Sequence, residues 1–258
     1  MNDESIAVLC SSYSHIAGVT PPKEAAAASK ILTEYAAGKS DRIFLYHPDA
    51  VAEWVSEEYS VYMPEIYERT GLKMPLCAVM PSITPVCFAT IYTGILPDHH
   101  HVMTRDDKVT ADTFFDSLKS AGKTAAVVTP EKSSMGRIFR GKALDYYYYS
   151  NEADARRIVG QLIAEDRYTL ISFYDGRFDS AMHRSGPDSI AALYALRSAS
   201  LLFASFDDLI AEHWQDHRTL IGFAPDHGCH ATSKGGLHGT DSCRDMDILH
   251  FYGIRGNG

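Results

Sequence analysis

Seven short apolar runs dominate the chain: Arg42–His47, Leu76–Met80, Thr124–Val128, Tyr146–Tyr149, Thr169–Tyr174, Thr219–Ala224 and Ile248–Tyr252. They are nearly continuous rather than alternating, which is the pattern of strands buried on both faces. Helical stretches separate them, so a mostly parallel central sheet covered on each side follows, an α/β three-layer arrangement. The clearest helix spans Pro187 to Trp214, with Pro187 at a first-turn position and Ile190, Leu193, Tyr194, Leu201 and Ile210 on its expected buried stripe. Two more helices are expected near Glu4–Ala17 and over Pro22–Ala37, the latter closed by Gly38. The run Tyr146–Tyr149 reads as a sheet strand with amphipathic rings. Without a repeat or a linker, 1–258 reads as one domain, with 1–40 a helical N-terminal extension and small specificity elements within 104–145.

Charge and cysteine usage narrow the function. The formal net charge is −9, which leaves no basic footprint for a nucleic acid polymer. An acidic protein can still bind phosphate where a metal supplies positive charge. The N-terminal segment lacks a basic region leading into an apolar core, and no apolar run is read as approaching the ~20 residues of a membrane span. Five scattered cysteines with no CxxC pair fit a reducing compartment, so the expected location is cytoplasmic. Self-association is compatible with all of this.

Several familiar motifs fail. Ala37-Gly38-Lys39-Ser40 resembles the end of a phosphate loop, but Thr33 stands where its first glycine is required. No GxGxxG follows a strand, and GxSxG and HExxH are absent.

Four other segments place ligand-type side chains or a nucleophile after predicted strands. Asp49 follows the first complete strand, after Pro48; it could ligate an ion or cap the following helix. Ser82 and Thr84 precede a helix, where a hydroxyl could be a metal-activated nucleophile or a cap. Asp179 and His183 are four apart, which puts both on one helical face as paired ligands or as a surface hydrogen bond, with Asp175 a rival ligand. Finally, Phe223–Asp241 carries Asp226-His227-Gly228 and His238-Gly239, carboxylate and imidazole in a glycine-rich loop.

In this order, Asp, then Thr in PSxTPxxxATxxTG, then DxxxH…GP, DHG and HGxD, the chain resembles the alkaline phosphatase superfamily from Asp49 onward. It is most similar to the type I phosphodiesterase/nucleotide pyrophosphatase branch. The resemblance implies an alkaline phosphatase-like sandwich and two divalent ions, zinc or else manganese. Asp179, His183 and His238 would hold one ion; Asp49, Asp226 and His227 would hold the other beside Thr84. His230 becomes a bystander and Asp241 a loop-fixing carboxylate. Cys87 stands at a substrate-binding position where the branch has a phosphate-binding asparagine, so that contact loses its amide. His100 in the Pro97–His101 loop is read as structural.

The activity implied is hydrolysis of a small phosphoric ester, diester or monoester, through a phosphothreonine on Thr84. Two in-line displacements would give net retention at phosphorus. Arg137, Arg140, Arg177 and Arg184 are candidate phosphate partners. A phosphosugar mutase and a non-catalytic metal- or phosphate-binding protein are the alternatives; a sulfatase is disfavoured because Cys87-Phe88-Ala89-Thr90 lacks the Pro and Arg of CxPxR.

Overall fold

A computed structural model describes residues 1–256. Its strands are β1 (Arg42–Pro48), β2 (Leu72–Cys77), β3 (Ala125–Thr129), β4 (Asp145–Tyr148), β5 (Leu170–Asp175), β6 (Thr219–Phe223), β7 (His230–Thr232), β8 (Gly235–Leu237) and β9 (Asp247–Arg255). Seven of them form one sheet in the order β2-β9-β6-β1-β5-β3-β4, and β7 pairs with β8 in a separate hairpin. From β6 to β4 every pairing is parallel. The exception is β9, which runs antiparallel to both β6 and β2.

Side-chain alternation along the central strands builds a core on each face. Ile43 and Leu45 of β1 join one cluster with Tyr13, Phe88 and Phe115; Phe44 and Tyr46 join the other with Phe173, Phe203 and Phe206. This is the period of two expected of a strand, with both sets apolar because helices cover both faces. The first 40 residues belong to this packing: Leu9, Tyr13 and Ile16 are fully buried, so they form part of a layer rather than an appendage.

Several boundaries differ from expectation for identifiable reasons. The second helix begins only at Lys30, where the Ser29 hydroxyl caps Leu32 N–H. Upstream amides are already engaged, Ala26 with the Gly94 carbonyl and Ser29 with the Ser12 hydroxyl, so no helix forms over Pro22–Ser29. Strand β2 ends at Cys77, and Ala78 donates instead to the Met246 carbonyl outside the sheet. Pro75 is tolerated because β2 is the edge strand.

The long helix spans Ile190–His213 and is capped by Ser189, two residues beyond Pro187. Its buried stripe is Ala192, Ala195, Leu196, Ala199, Phe203 and Ile210. Ile190 and Tyr194 are 90% and 75% exposed, and Leu201 is 47% exposed. The buried face is rich in alanine and phenylalanine and packs closely on the neighbouring helices, so these larger side chains are turned outward and the expected stripe is corrected in those three residues. The same helix is long and apolar enough to span a bilayer, contrary to the reading of the run lengths, but 61% of its most apolar stretch is buried in this fold.

Candidate metal centre

Strands β1 and β6 are neighbours, and both deliver a carboxylate just beyond their C-terminal ends. Asp49 N–H still bonds to the Asp175 carbonyl, and then Ala50 turns the chain with a left-handed φ of 63°. Ala50 N–H donates to Asp226 Oδ1 at 3.3 Å, tying the two strand ends together. Asp49 caps no helix; the helix Glu53–Glu58 has Ala52 at its cap. Asp49, Asp226 and His227 are 2%, 0% and 0% exposed. His227 Nε2 lies 3.3 Å from Asp49 Oδ1 and 3.6 Å from Asp226 Oδ2. Gly228 is required next, since a Cβ there would stand 2.3 Å from the Arg244 carbonyl oxygen.

Thr84 opens the helix Thr84–Thr93, whose cap position is Ile83 and carries no side-chain bond. Neither hydroxyl therefore serves as a cap: Ser82 donates to the Thr240 carbonyl, while Thr84 Oγ1 stands 3.4 Å from each Asp49 oxygen and 3.3 Å from His227 Nε2.

A second trio lies beside the first. Asp179 and His183 share a face of the helix Arg177–Ser185, with His183 Nε2 at 3.1 Å from Asp179 Oδ1. His238 Nε2 is 3.4 Å from the same oxygen and 3.2 Å from His183 Nε2. The hairpin β7–β8, unanticipated in the sequence, returns the chain so that His238 arrives here. Gly235 fits this approach with φ +147° and its ideal Cβ position only 2.3 Å from the His183 carbonyl. The His227 and His238 rings are 4.2 Å apart, so the trios adjoin.

Three observations say that these residues fit divalent cations. In each trio one ligand atom per residue lies within 4.8 Å of the others. Asp226 Oδ2 is a buried oxygen without a hydrogen-bond partner, and Asp179 Oδ1 faces only the Nε2 atoms of His183 and His238, an arrangement that is costly unless positive charge compensates it. Finally, the Nδ1 atoms of His183, His227 and His238 each meet a backbone carbonyl, of Gly236, Gly228 and Ser82, at 3.0, 2.9 and 3.1 Å. A carbonyl only accepts, so in the neutral ring Nδ1 carries the proton and the Nε2 lone pair faces the trio.

The electrostatics differ between the trios. Burial raises the pKa of Asp49 well above the carboxylate range, and the nearby charges of Asp226 and Asp179 add to it. Asp226 is raised and His227 lowered, both first by burial. At Asp179 burial also opposes ionisation, but hydrogen bonds from His183 and His238 outweigh it and the pKa falls. The bond to Asp179 raises His183.

The remaining candidates occupy other roles. Asp175 has both oxygens engaged by Tyr46 and Arg177 and lies outside both trios. Arg177 is committed to Asp175, Glu152 and Ser198. Cys87 is fully buried with its thiol toward the Val79 carbonyl, so it packs behind the helix start rather than facing a substrate. His100 is buried between the Thr90 hydroxyl and the Val102 amide, a structural role as expected.

The loop-fixing carboxylate is Asp245 rather than the exposed Asp241: it bonds His230 Nδ1 at 2.7 Å and both the N–H and the hydroxyl of Thr240. Two further supports were missed, His47 and His250, whose ring nitrogens bond the carbonyls of Ala224 and Pro225 at 2.7 Å each. They brace the peptide that leads into Asp226. Tyr174, also missed, donates its hydroxyl to Asp49 Oδ2.

No protein-family model and no curated protein matches this chain. Solved structures do. Murine ectonucleotide pyrophosphatase/phosphodiesterase 5, as an inactive threonine-to-alanine variant with AMP, matches with a TM-score of 0.58 at 16% identity, over 75% of this chain and 59% of the murine one. A second structure of that protein gives 0.56 and 16%, over 75% and 58%. Phosphonoacetate hydrolase from Sinorhizobium meliloti with phosphonoformate gives 0.54 and 20%, over 73% and 56%. The chain thus spans less than two thirds of the length of these structures. Their likeness shows the fold, an alkaline phosphatase-like α/β arrangement around a mostly parallel sheet of seven strands.

Proposed function

We propose that this chain, built on the alkaline phosphatase fold, is a metal-dependent hydrolase of small phosphoric esters. The observation that carries the reading is the placement of the Thr84 hydroxyl against the trio Asp49, Asp226 and His227, with Asp179, His183 and His238 adjoining it. The murine neighbour, inactive as a threonine-to-alanine variant and bound to AMP, and the hydrolase neighbour bound to phosphonoformate support a site of this kind.

Asp49, Asp226 and His227 would hold one divalent cation, and Asp179, His183 and His238 the other. Mixed carboxylate and imidazole donors suit zinc, with manganese the second choice. Bound there, the ions would neutralise charge on phosphoryl oxygens and lower the pKa of the nearby alcohol.

The chain's own part follows from its geometry. Tyr174 holds Asp49 by a hydrogen bond, and Asp49 and His227 hold the Thr84 oxygen. Thr84 Oγ1 forms the bond to phosphorus as the ester oxygen departs with the electron pair of the broken P–O bond and takes up the proton that Thr84 gives up. Water then attacks phosphorus, the Oγ1–P bond breaks, and Thr84 recovers its proton. No side-chain general base is required. Diester and monoester substrates both fit this scheme.

The test is hydrolysis of paired aryl monoester and diester substrates by protein reconstituted with zinc or manganese, alongside Thr84→Ala. Wild-type turnover in that variant would overturn the mechanism. Isomerised sugar phosphate in place of released phosphate would point to a mutase, and bound metal without turnover to a binding protein.

A further inference from the structure

Away from both trios, a cleft of about 290 Å³ is lined by five cations, Arg105, Lys108, Lys132, Arg137 and Arg140. Its only lining carboxylates are Asp106 and Glu131, so the cleft carries a formal +3 (five minus two) in a chain of net −9. Asp106 pairs with Arg137 at 2.8 Å. Among the described residues, Arg105, Lys108, Lys132 and Arg140 have no ion-pair partner within 4.0 Å. Like charges gathered in a concavity repel one another, and an anion entering it relieves the repulsion while gaining a focused field.

The cations are carried on a braced frame. Asp107 accepts from Met103 N–H, Thr104 N–H and the Thr104 hydroxyl, which closes the turn presenting Arg105 and Lys108. Val109 N–H bonds the Ile138 carbonyl, joining this turn to the helix Met135–Ile138. On the other wall, Ser133 Oγ accepts Gly136 N–H and bonds Thr129 Oγ1 at the end of β3. Arg140 Nε donates to the Gly136 carbonyl at 3.2 Å, which steadies the guanidinium and leaves its terminal nitrogens for a ligand. Multiple guanidinium and ammonium donors in one small cleft match the several oxygens of a phosphate group.

The cleft also sits on a telling side of the molecule. Its Glu131 and Lys132 follow β3, which pairs with β5, which pairs with β1. These two residues therefore leave the same C-terminal end of the sheet as Asp49, from a strand two positions away, about 10 Å across the sheet.

From this we propose a second anion site, specific for a phosphate-type group, centred on Lys132, Arg137 and Arg140. The group comes either from the far end of a substrate carrying two phosphates or from a separate phosphorylated small molecule.

Two measurements test it on the full-length, metal-loaded protein. The first is calorimetric titration with inorganic phosphate at low ionic strength, comparing wild type with Lys132→Ala/Arg140→Ala. Both side chains are exposed, so folding is retained, which circular dichroism verifies. The variant should lose one phosphate-binding event, or bind it about tenfold more weakly. Added salt should weaken that event in the wild type. Lys132→Arg should retain it. Identical isotherms for wild type and double variant would overturn the proposal.

The second measurement compares esters with one phosphate and with a second, distal phosphate. A KM increase of about tenfold confined to the doubly phosphorylated ester assigns the anion to the substrate. A phosphate-dependent change in turnover of the simple ester, lost in the variant, assigns it to a separate effector. The titration needs no turnover, so this site stands or falls independently of the hydrolase reading.

Discussion

The two ligand trios differ in what builds them. Asp49, Asp226 and His227 sit on strand ends inside the protein, whereas Asp179, His183 and His238 come from a helix and a hairpin, with the His183 side chain 37% exposed. The buried trio is braced from several directions, by Tyr174, by Ala50 N–H, and by His47 and His250 behind the approach to Asp226. The open trio rests on the Gly236 and Ser82 carbonyls, which meet His183 and His238 Nδ1, while Asp245 fixes the neighbouring loop through Thr240. On the proposed reading, the reacting alcohol belongs to the rigid side and exchange to the open side. In physical terms, a nucleophile needs fixed geometry, while a site that must admit substrate needs surface.

The largest expected effect breaks the assignment of roles if it fails. Thr84→Ala should lower turnover by roughly three orders of magnitude or more while metal content, measured by elemental analysis, is unchanged. An equal loss of metal would mean that Thr84 supports the trio rather than reacting.

Acid should act through the buried side. His250 is fully buried between Pro225 and Tyr252, and burial pushes its pKa down to about 3. Unfolded histidine titrates near 6.5, so between these values the unfolded chain binds the extra proton and stability falls as pH falls. The contribution, fully present above about 6.5, is on the order of 5 kcal/mol. Denaturant midpoints across this window should decline in the wild type and less steeply in His250→Gln.

Supports of the two trios should separate. Tyr174→Phe is expected to cost 10–100-fold (roughly) in affinity for one metal equivalent, and Asp245→Ala the same for the other, read by competition with a chelator. If both variants weaken the same equivalent, the division into two independently braced trios is wrong.

The smallest effect concerns the metal-free protein. Asp226→Asn removes a buried charge whose Oδ2 has no partner and should raise the unfolding free energy of chelator-treated protein by about 1 kcal/mol, read from thermal melts. Asp179→Asn should lower it by a similar amount, since Asp179 is held by His183 and His238. Shifts of the same sign would erase the contrast.

Much of this was legible in the residues. The runs that became β1, β3, β5 and β6 were buried on both faces and so unbroken in pattern, and the carboxylates after β1 and β6, grouped by the family resemblance rather than by spacing, do lie together. What escaped depended on distant partners. The direction of β9 is decided by ladders with β6 and β2, which leave no local trace. The hairpin β7–β8 has strands of three residues and reads locally as a glycine-rich loop. Asp245 looked no different from Asp241 until its contact with His230, fifteen positions away, was formed. The stripe of the helix Ile190–His213 was misread because close packing selected alanine over the larger Ile190 and Tyr194.

The stretch from Asp226 to His238 contributes to both trios. During translation, Asp49, Thr84, Asp179 and His183 all leave the ribosome before it does. A nascent chain therefore displays only one or two ligands of each set until that late stretch has emerged. Metal capture with a full complement of donors would thereby be postponed until every strand on which the trios stand has been synthesised, an order of assembly written into the position of one loop.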